Sequence, residues 1–115
     1  MTTVYVVVTL LTIAANLGVA VVDIAMPALP ARNAAEVRVP ASWLPWLAAA
    51  KAAGGVGLLV GFWLPPIGIA AGVGLVLFFV GAVGAHVRTR VFHNIGFPIA
   101  YLALAVATCT LTIAR

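Results

Sequence analysis

The sequence contains very few charged residues. Only 7% of its 115 residues are Asp, Glu, Lys or Arg, and only two of these are acidic. A soluble domain has about 25% charged residues, so this chain cannot cover a water-facing surface with polar groups. Hydrophobic residues make up 65% of the chain. This composition excludes an ordinary soluble domain and indicates an integral membrane protein in contact with the lipid bilayer.

Other features that the sequence lacks narrow its function. The one cysteine, Cys109, cannot form an internal disulfide or a CxxC redox pair. No phosphate-binding loop, nucleophile elbow or zincin motif is present. The net charge of +4 comes without a basic face that interleaves aromatic residues, so it indicates juxtamembrane positive charge and no nucleic-acid partner.

Four apolar segments have the length of transmembrane helices. Crossing about 30 Å of hydrocarbon takes roughly 20 helical residues, and the backbone must satisfy its own hydrogen bonds in lipid. The N-terminal segment lacks a basic n-region and exceeds the ~7–15 apolar residues of a signal peptide, so we interpret it as a retained helix. The predicted fold is all-α, an antiparallel bundle of four transmembrane helices in one domain, 1–115. The helices are predicted at about 4–26, 43–63, 67–87 and 97–114.

The connections between these segments suggest an orientation. Residues 27–42 form a long loop with three prolines, and residues 88–96 connect the last two helices. Four crossings place both loops on one side and both termini on the other. The loop side carries four arginines, so the positive-inside rule predicts cytoplasmic loops and outside termini.

Small and aromatic residues support the helix assignments. Gly54, Gly57 and Gly61 form one stripe at helical spacing, and Gly68 and Gly72 form a GxxxG pattern. Such faces allow close helix contact, within the bundle or between the two copies of a homodimer. Aromatic residues fall at both predicted borders, where membrane proteins have interfacial belts. These residues are Trp43, Trp46, Phe92 and Phe97 on the loop side, and Tyr5, Phe62 and Trp63 on the other.

Ionisable residues concentrate at the loop side. Asp23 lies in the last turn of the first helix, Lys51 about two turns into the second, and His86 at the end of the third, just before Arg88. Asn16 is seven residues before Asp23, so it shares its face about 10 Å deeper. Intramembrane ionisable groups are costly and normally face the protein interior. We therefore predict a polar pocket whose candidate ligand-binding residues are these five. Asp23, Lys51 and His86 are also candidates for catalysis.

Several interpretations of this cluster remain open. In the first, the charges serve folding alone: Asp23 pairs with Lys51 or Arg88, or Lys51 extends to the lipid headgroups. A pocket can instead hold the polar head of a lipophilic ligand, transfer protons, or bind an anion through Lys51, Arg88 and Arg90. A metal site is not predicted, because His86 and His93 are seven residues apart across a helix end without a clear third ligand.

Residues 47–88 resemble the DoxX-like family of small four-helix membrane proteins. The shared features are LxxxKxxG at Lys51 and Gly54, the LPP turn at residues 64–66, and GAxxxHxR at His86 and Arg88. The resemblance implies a four-helix bundle in a bacterial plasma membrane, and it makes Lys51, His86 and Arg88 motif positions. The wider family includes a membrane subunit of an archaeal thiosulfate:quinone oxidoreductase, bacterial relatives associated with redox-stress proteins, and an animal relative associated with receptor assembly.

The polar cluster and the resemblance together suggest three functions. The first is a membrane subunit of a redox system that binds a lipophilic ligand, with a quinone as the cofactor and a redox protein as the partner. The second is an enzyme that carries out acid–base chemistry on a lipophilic substrate. The third is an assembly or scaffold protein whose polar cluster is structural. Small multidrug transporters also have four helices in this length, but they depend on a glutamate where this chain has Asn16.

Overall fold

The fold is described from a computed structural model of the chain, which covers residues 2–115. The described residues form five α-helices and one 3₁₀ turn, Ala41–Trp43, and contain no strand. The helices are α1 (Thr3–Ala25), α2 (Ala28–Glu36), α3 (Leu44–Val60), α4 (Pro65–Thr89) and α5 (Gly96–Ala114). The predicted all-α membrane bundle is confirmed, with α1, α3, α4 and α5 as its four antiparallel helices.

Three of these helices, α1, α4 and α5, are long and apolar enough to cross a membrane. The fourth, α3, has 17 residues and is the shorter apolar helix of the bundle. The residues predicted to extend it form the 3₁₀ turn before Leu44 and the turn after Val60. Proline near the start of α3 and the run of turns at residues 61–63 limit its length.

The four long helices form a closed ring. α1 lies against α3, α3 against α4, α4 against α5, and α5 returns to α1. A buried apolar core at the centre joins them through Ile13, Leu58, Leu75, Phe79 and Ala105. We call the side with residues 26–43 and 90–95 the loop end, and the side with the α3–α4 turn and Arg115 the terminal end.

The segment predicted as the long loop 27–42 contains a helix, α2. Proline does not prevent it, because Pro27 precedes the helix and Pro30 lies in its first turn, where a backbone N–H has no intrahelical partner. The helix ends at Glu36. Two residues later Arg38 takes the left-handed conformation (φ 60°), and the Val39 N–H donates to the Ala34 carbonyl at 2.8 Å. α2 lies against the loop end of the bundle.

The glycine stripes contact each other within the chain, toward the terminal end. A Cβ on Gly68 would lie 3.0 Å from the Cα of Gly61, and one on Gly72 would lie 3.1 Å from the Cβ of Cys109. These glycines let α4 approach α3 and α5 closely. Further along the same helix, a Cβ on Gly81 or Gly84 would meet no atom within 4 Å.

One aromatic prediction needs correction. Trp43, Trp46, Trp63, Phe92 and Phe97 are exposed on the outside of the bundle, where an interfacial belt would lie. Tyr5, however, is 1% exposed and packs edge-on against Phe62 inside the bundle. Its hydroxyl accepts a hydrogen bond from the Arg115 guanidinium, which also donates to the Gly61 carbonyl at 2.8 Å. This contact joins the end of α5 to α1 and to the α3–α4 turn.

Candidate functional site

Asp23 and Lys51 form an ion pair at the loop end. The last turn of α1 places Asp23 and the second turn of α3 places Lys51, and the Lys51 ammonium donates to the Asp23 carboxylate. Their side chains are only 13% and 12% exposed. The Phe78 ring of α4 lies 5.9 Å from Lys51 Nζ. The lysine thus pairs with the protein, in a position between three helices.

This ion pair lies in the wall of a large cavity. The cavity has a volume of about 780 Å³ and is bounded by α1, the loop-end halves of α3 and α4, the start of α5, and α2. Its lining is mostly apolar. The polar and ionisable residues of the lining are Asp23, Asn33, Lys51, His86, Arg88, Asn94 and Tyr101. Four of the five predicted ligand-binding residues therefore line one cavity, and the ion pair does not fill it.

Four small residues of α4 belong to the cavity wall. Gly81, Ala82, Gly84 and Ala85 line it, and both glycines face open space. Large apolar side chains form the other walls, including Phe78 and Phe79 from α4 and Leu44 and Leu47 from α3.

His86 uses one ring nitrogen, Nδ1, in a hydrogen bond to its own helix and leaves the other, Nε2, available. Its Nδ1 lies 2.9 Å from the Ala82 carbonyl oxygen, one turn back along α4. A carbonyl can only accept, so Nδ1 must carry the proton. In the neutral imidazole, Nε2 then keeps its lone pair and can accept a hydrogen bond.

Tyr101 is a cavity residue that the sequence analysis missed. It lies in the second turn of α5, half-buried, and its hydroxyl donates to the Ala15 carbonyl at 3.3 Å. It packs on Phe79 with ring centroids 5.3 Å apart. A usable signal was its position at the loop end of the last helix, seven residues before the buried Thr108 on the same face.

Asn16 does not line the cavity. It is completely buried between α1 and its neighbours, and its Nδ2 donates to the Thr12 carbonyl at 2.9 Å. Its Oδ1 has no hydrogen-bond partner in the described part of the chain. The shared face with Asp23 was predicted, but the ligand-binding interpretation of Asn16 gains no support from its position.

α2 covers the loop end of the cavity. Leu29, Pro30, Ala34 and Val37 supply its apolar lining. Two polar contacts tie α2 to the segment between α4 and α5. Glu36 Oε2 lies 3.2 Å from His93 Nε2, and Asn94 Nδ2 donates to Asn33 Oδ1 at 3.4 Å. His93 is thus occupied at a surface contact away from His86.

The charges leave the loop end positive. Asp23 pairs with Lys51 and Glu36 with His93, and these are the two acidic residues of the chain. Arg32, Arg38, Arg88 and Arg90 therefore have no carboxylate side chain as partner within residues 2–115. In the same range, no group of three His, Cys, Asp or Glu residues comes together to hold a metal ion.

Comparison with known proteins gives one match. The model of the DoxX-like family matches residues 7–108, which is most of the chain. No curated protein and no solved structure matches the sequence significantly. The matched range contains every residue of the cavity lining.

Proposed function

The chain belongs to the DoxX-like family, and from that premise we propose that it is a membrane subunit that binds a lipophilic, quinone-like ligand in the loop-end cavity. The observation that carries the proposal is the cavity itself, an apolar space of about 780 Å³ into which an ion pair, an imidazole and a phenol project. Ligand pockets are typically about 300–1,000 Å³, mostly apolar, with a few convergent polar groups.

The residues present fit a quinone. Lys51 has three N–H donors and uses one on Asp23, so two can reach the carbonyl oxygens of a ligand. His86 Nε2 and the Asp23 carboxylate can accept hydrogen bonds from hydroxyl groups. The walls of Phe, Leu and Val side chains suit an apolar tail. A bound quinone supplies two-electron redox chemistry, in which reduction takes up two protons.

The positive loop end supports a partner on that side. Four arginines without carboxylate partners surround the cavity's loop end, and an acidic face of a redox protein complements them. The same excess of arginine favours cytoplasmic loops and outside termini in a bacterial plasma membrane. This orientation places the covered end of the cavity toward the partner.

The test uses two substitutions on α4. Gly81→Leu adds a side chain at a position in the cavity wall, whereas Gly74→Leu adds an equal side chain two turns earlier on α4, at a position outside the lining. Trp43 lines the cavity, whereas Trp46 and Trp63 are exposed outside its lining. All proteins therefore carry Trp46→Phe and Trp63→Phe, so that quenching of the Trp43 fluorescence reports a quinone bound in the cavity. Decylubiquinone is titrated into the purified protein in nanodiscs. We expect saturable quenching for the wild type and for Gly74→Leu, and none for Gly81→Leu.

The same variants separate the alternatives. Linear quenching that is equal in all three proteins contradicts quinone binding in the cavity. An acid–base enzyme is favoured by the available lone pair of His86 beside the ion pair. It predicts turnover of a lipophilic substrate by the purified protein, lost in Lys51→Met. A scaffold predicts that partner proteins copurify equally with the wild type, Gly81→Leu and Lys51→Met.

A further inference from the structure

A row of polar side chains, buried along its middle, follows α1 and the side of α5 that faces it. On α1 the steps between them are four, three and four residues, which keeps them on one helix face. On α5, counted in the opposite direction, the steps are three, four and seven residues, which also keeps the partners on one face. We call this row the polar seam. It consists of Tyr5, Thr9, Thr12 and Asn16 on α1, and Tyr101, Thr108, Thr112 and Arg115 on α5.

The middle of the seam is fully enclosed. Thr9, Thr12, Asn16 and Thr108 are each 0% exposed. Burial of a hydroxyl or amide costs free energy unless hydrogen bonds replace water. Hydrogen bonds between membrane helices return only ~0.6 kcal/mol on average, and one apolar contact would join the helices without that cost. So many polar groups along a single contact therefore point to a role beyond joining α1 to α5.

Hydrogen bonds cross the seam at its centre. The hydroxyls of Thr12 and Thr108 lie 2.7 Å apart, and either can donate to the other. Thr12 also bonds the Val8 carbonyl at 2.8 Å, and Thr112 donates to the Thr108 carbonyl at 2.7 Å. A hydroxyl both donates and accepts, so each of these side chains can receive a proton on one lone pair and release its own.

The seam reaches both ends of the bundle. At the terminal end, the exposed Arg115 donates to the Tyr5 hydroxyl. At the loop end, Tyr101 donates to the Ala15 carbonyl and lines the cavity beside Asp23. From Tyr5 to Asp23 the distance along α1 is about 27 Å at ~1.5 Å per residue, close to the ~30 Å of the hydrocarbon core.

Two atoms within the seam have unused hydrogen-bonding capacity. Thr9 Oγ1 and Asn16 Oδ1 are buried and have no hydrogen-bond partner among residues 2–115. They stand one step to either side of Thr12 along the same face. Each can bind a water molecule that relays a proton, because a buried water needs such polar partners. An amide does not itself relay protons readily, so Asn16 is a positioning residue.

We propose that the polar seam conducts protons between the terminal face and the loop-end cavity. A proton enters at the Tyr5 end, each hydroxyl or water accepts one proton and passes on its own, and a proton leaves at the Tyr101 end. One O–H bond forms and one breaks at each step, and no electron moves. The relay works in either direction and requires no particular ligand in the cavity. It can therefore be tested independently of quinone binding.

The test measures proton flux through the purified protein in liposomes. The liposomes contain the pH-sensitive dye pyranine and a potassium gradient, and valinomycin sets an inside-negative potential that drives protons inward. We expect faster acidification than in protein-free liposomes. Thr12→Val and Thr108→Val remove one hydroxyl each with little change of shape. Each should slow acidification by at least about tenfold, which corresponds to ~1.4 kcal/mol of barrier.

Two controls separate conduction from a purely structural role. Thr12→Ser keeps the hydroxyl and should conduct like the wild type. Thr110→Val makes the same change on an exposed face of α5 and should also conduct normally. If Thr12→Val loses its helical circular dichroism, Thr108→Val serves for the same comparison. Acidification no faster than in protein-free liposomes, or wild-type flux in both folded valine variants, would overturn the proposal.

Discussion

The two ends of the bundle use glycine in opposite ways. At the terminal end, Gly61 and Gly68 bring the backbones of α3 and α4 into contact, and a methyl group on Gly61 would overlap the Cα of Gly68. At the loop end, Gly81 and Gly84 of the same helix face open space in the cavity wall. A small residue in a membrane helix can thus mark a contact or a space, and the residues on the facing helix decide which.

Polar residues differ between the two ends in a corresponding way. The loop end holds an ion pair beside a cavity, so its charges have room for a further molecule. At the terminal end, the Arg115 guanidinium donates hydrogen bonds to the Tyr5 hydroxyl and to two backbone carbonyls. These bonds join α5 to α1 and to the α3–α4 turn. The terminal end holds the helices together, and the loop end carries the candidate chemistry.

The largest expected effect comes from breaking the ion pair at the loop end. Lys51→Met leaves the Asp23 carboxylate enclosed without its cation, and we expect it to lower the free energy of unfolding by about 3 kcal/mol. Equilibrium unfolding in mixed detergent and SDS micelles, followed by circular dichroism, measures this change. The double variant Asp23→Asn, Lys51→Met should recover much of the loss. A single variant as stable as the wild type would contradict a stabilising pair between Asp23 and Lys51.

Tight packing at the terminal end predicts the next largest effect. Gly61→Ala forces α3 away from Gly68, and we expect a loss of about 2 kcal/mol in the free energy of unfolding, as for other overpacked cores. The same unfolding experiment applies. Gly74→Ala is the matched control, because its methyl group meets no atom within 4 Å. Equal stability of the two variants would contradict the contact between α3 and α4.

At the loop end, a glycine-to-alanine change should raise stability instead of lowering it. Gly84 is exposed and belongs to the cavity wall, and the methyl group of Gly84→Ala would meet no atom within 4 Å. Alanine in a helix interior is more favourable than glycine by about 0.5–1 kcal/mol, so we expect a gain in stability of that size. A rise in the thermal unfolding midpoint would support the open space, and a fall would mean that α4 packs closely along its whole length.

The smallest expected effect concerns the attachment of α2. Glu36 and His93 are 35% and 67% exposed, so their pair contributes at most about 0.5 kcal/mol. We expect Glu36→Gln to leave the unfolding midpoint unchanged and to speed hydrogen exchange of the α2 amides. Unchanged exchange throughout α2 would show that its apolar contacts with the cavity lining hold it in place alone.

The long helices and most of the cavity residues could be predicted from the sequence. The depth of a residue in the membrane follows from its distance in residues from the end of its helix. This count places Asp23, Lys51, His86 and Arg88 near the loop end. Their meeting in one cavity also required neighbouring helices, which the family resemblance indicated. The pairing of Asp23 with Lys51 over Arg88 depends on the ring order, in which α1 lies against α3, and no spacing within one helix reveals it.

Other features escaped for identifiable reasons. The prolines of residues 27–42 predict a loop where the structure has α2. Pro27 and Pro30 lie before the helix and in its first turn, positions at which a helix tolerates proline. The threonines of the seam were overlooked because threonine is common in apolar helices and bonds its own backbone. Their spacing was nevertheless visible, since Thr9, Thr12 and Asn16 continue the face of Asp23 in steps of three, four and seven. Tyr5 was assigned to the membrane interface because sequence position cannot tell inward from outward.

The contact between Gly61 and Gly68 also sets how the molecule can deform. It lies near one end of α4, and the cavity wall at Gly84 lies about 24 Å away along the helix axis, at ~1.5 Å per residue. A rotation of α4 about that contact would therefore move its loop-end stretch the most. By geometry alone, a rotation of about 5° displaces the cavity wall by about 2 Å over that length. Leu75 and Phe79 lie between the two points in the buried core, so their contacts would have to shift with the wall.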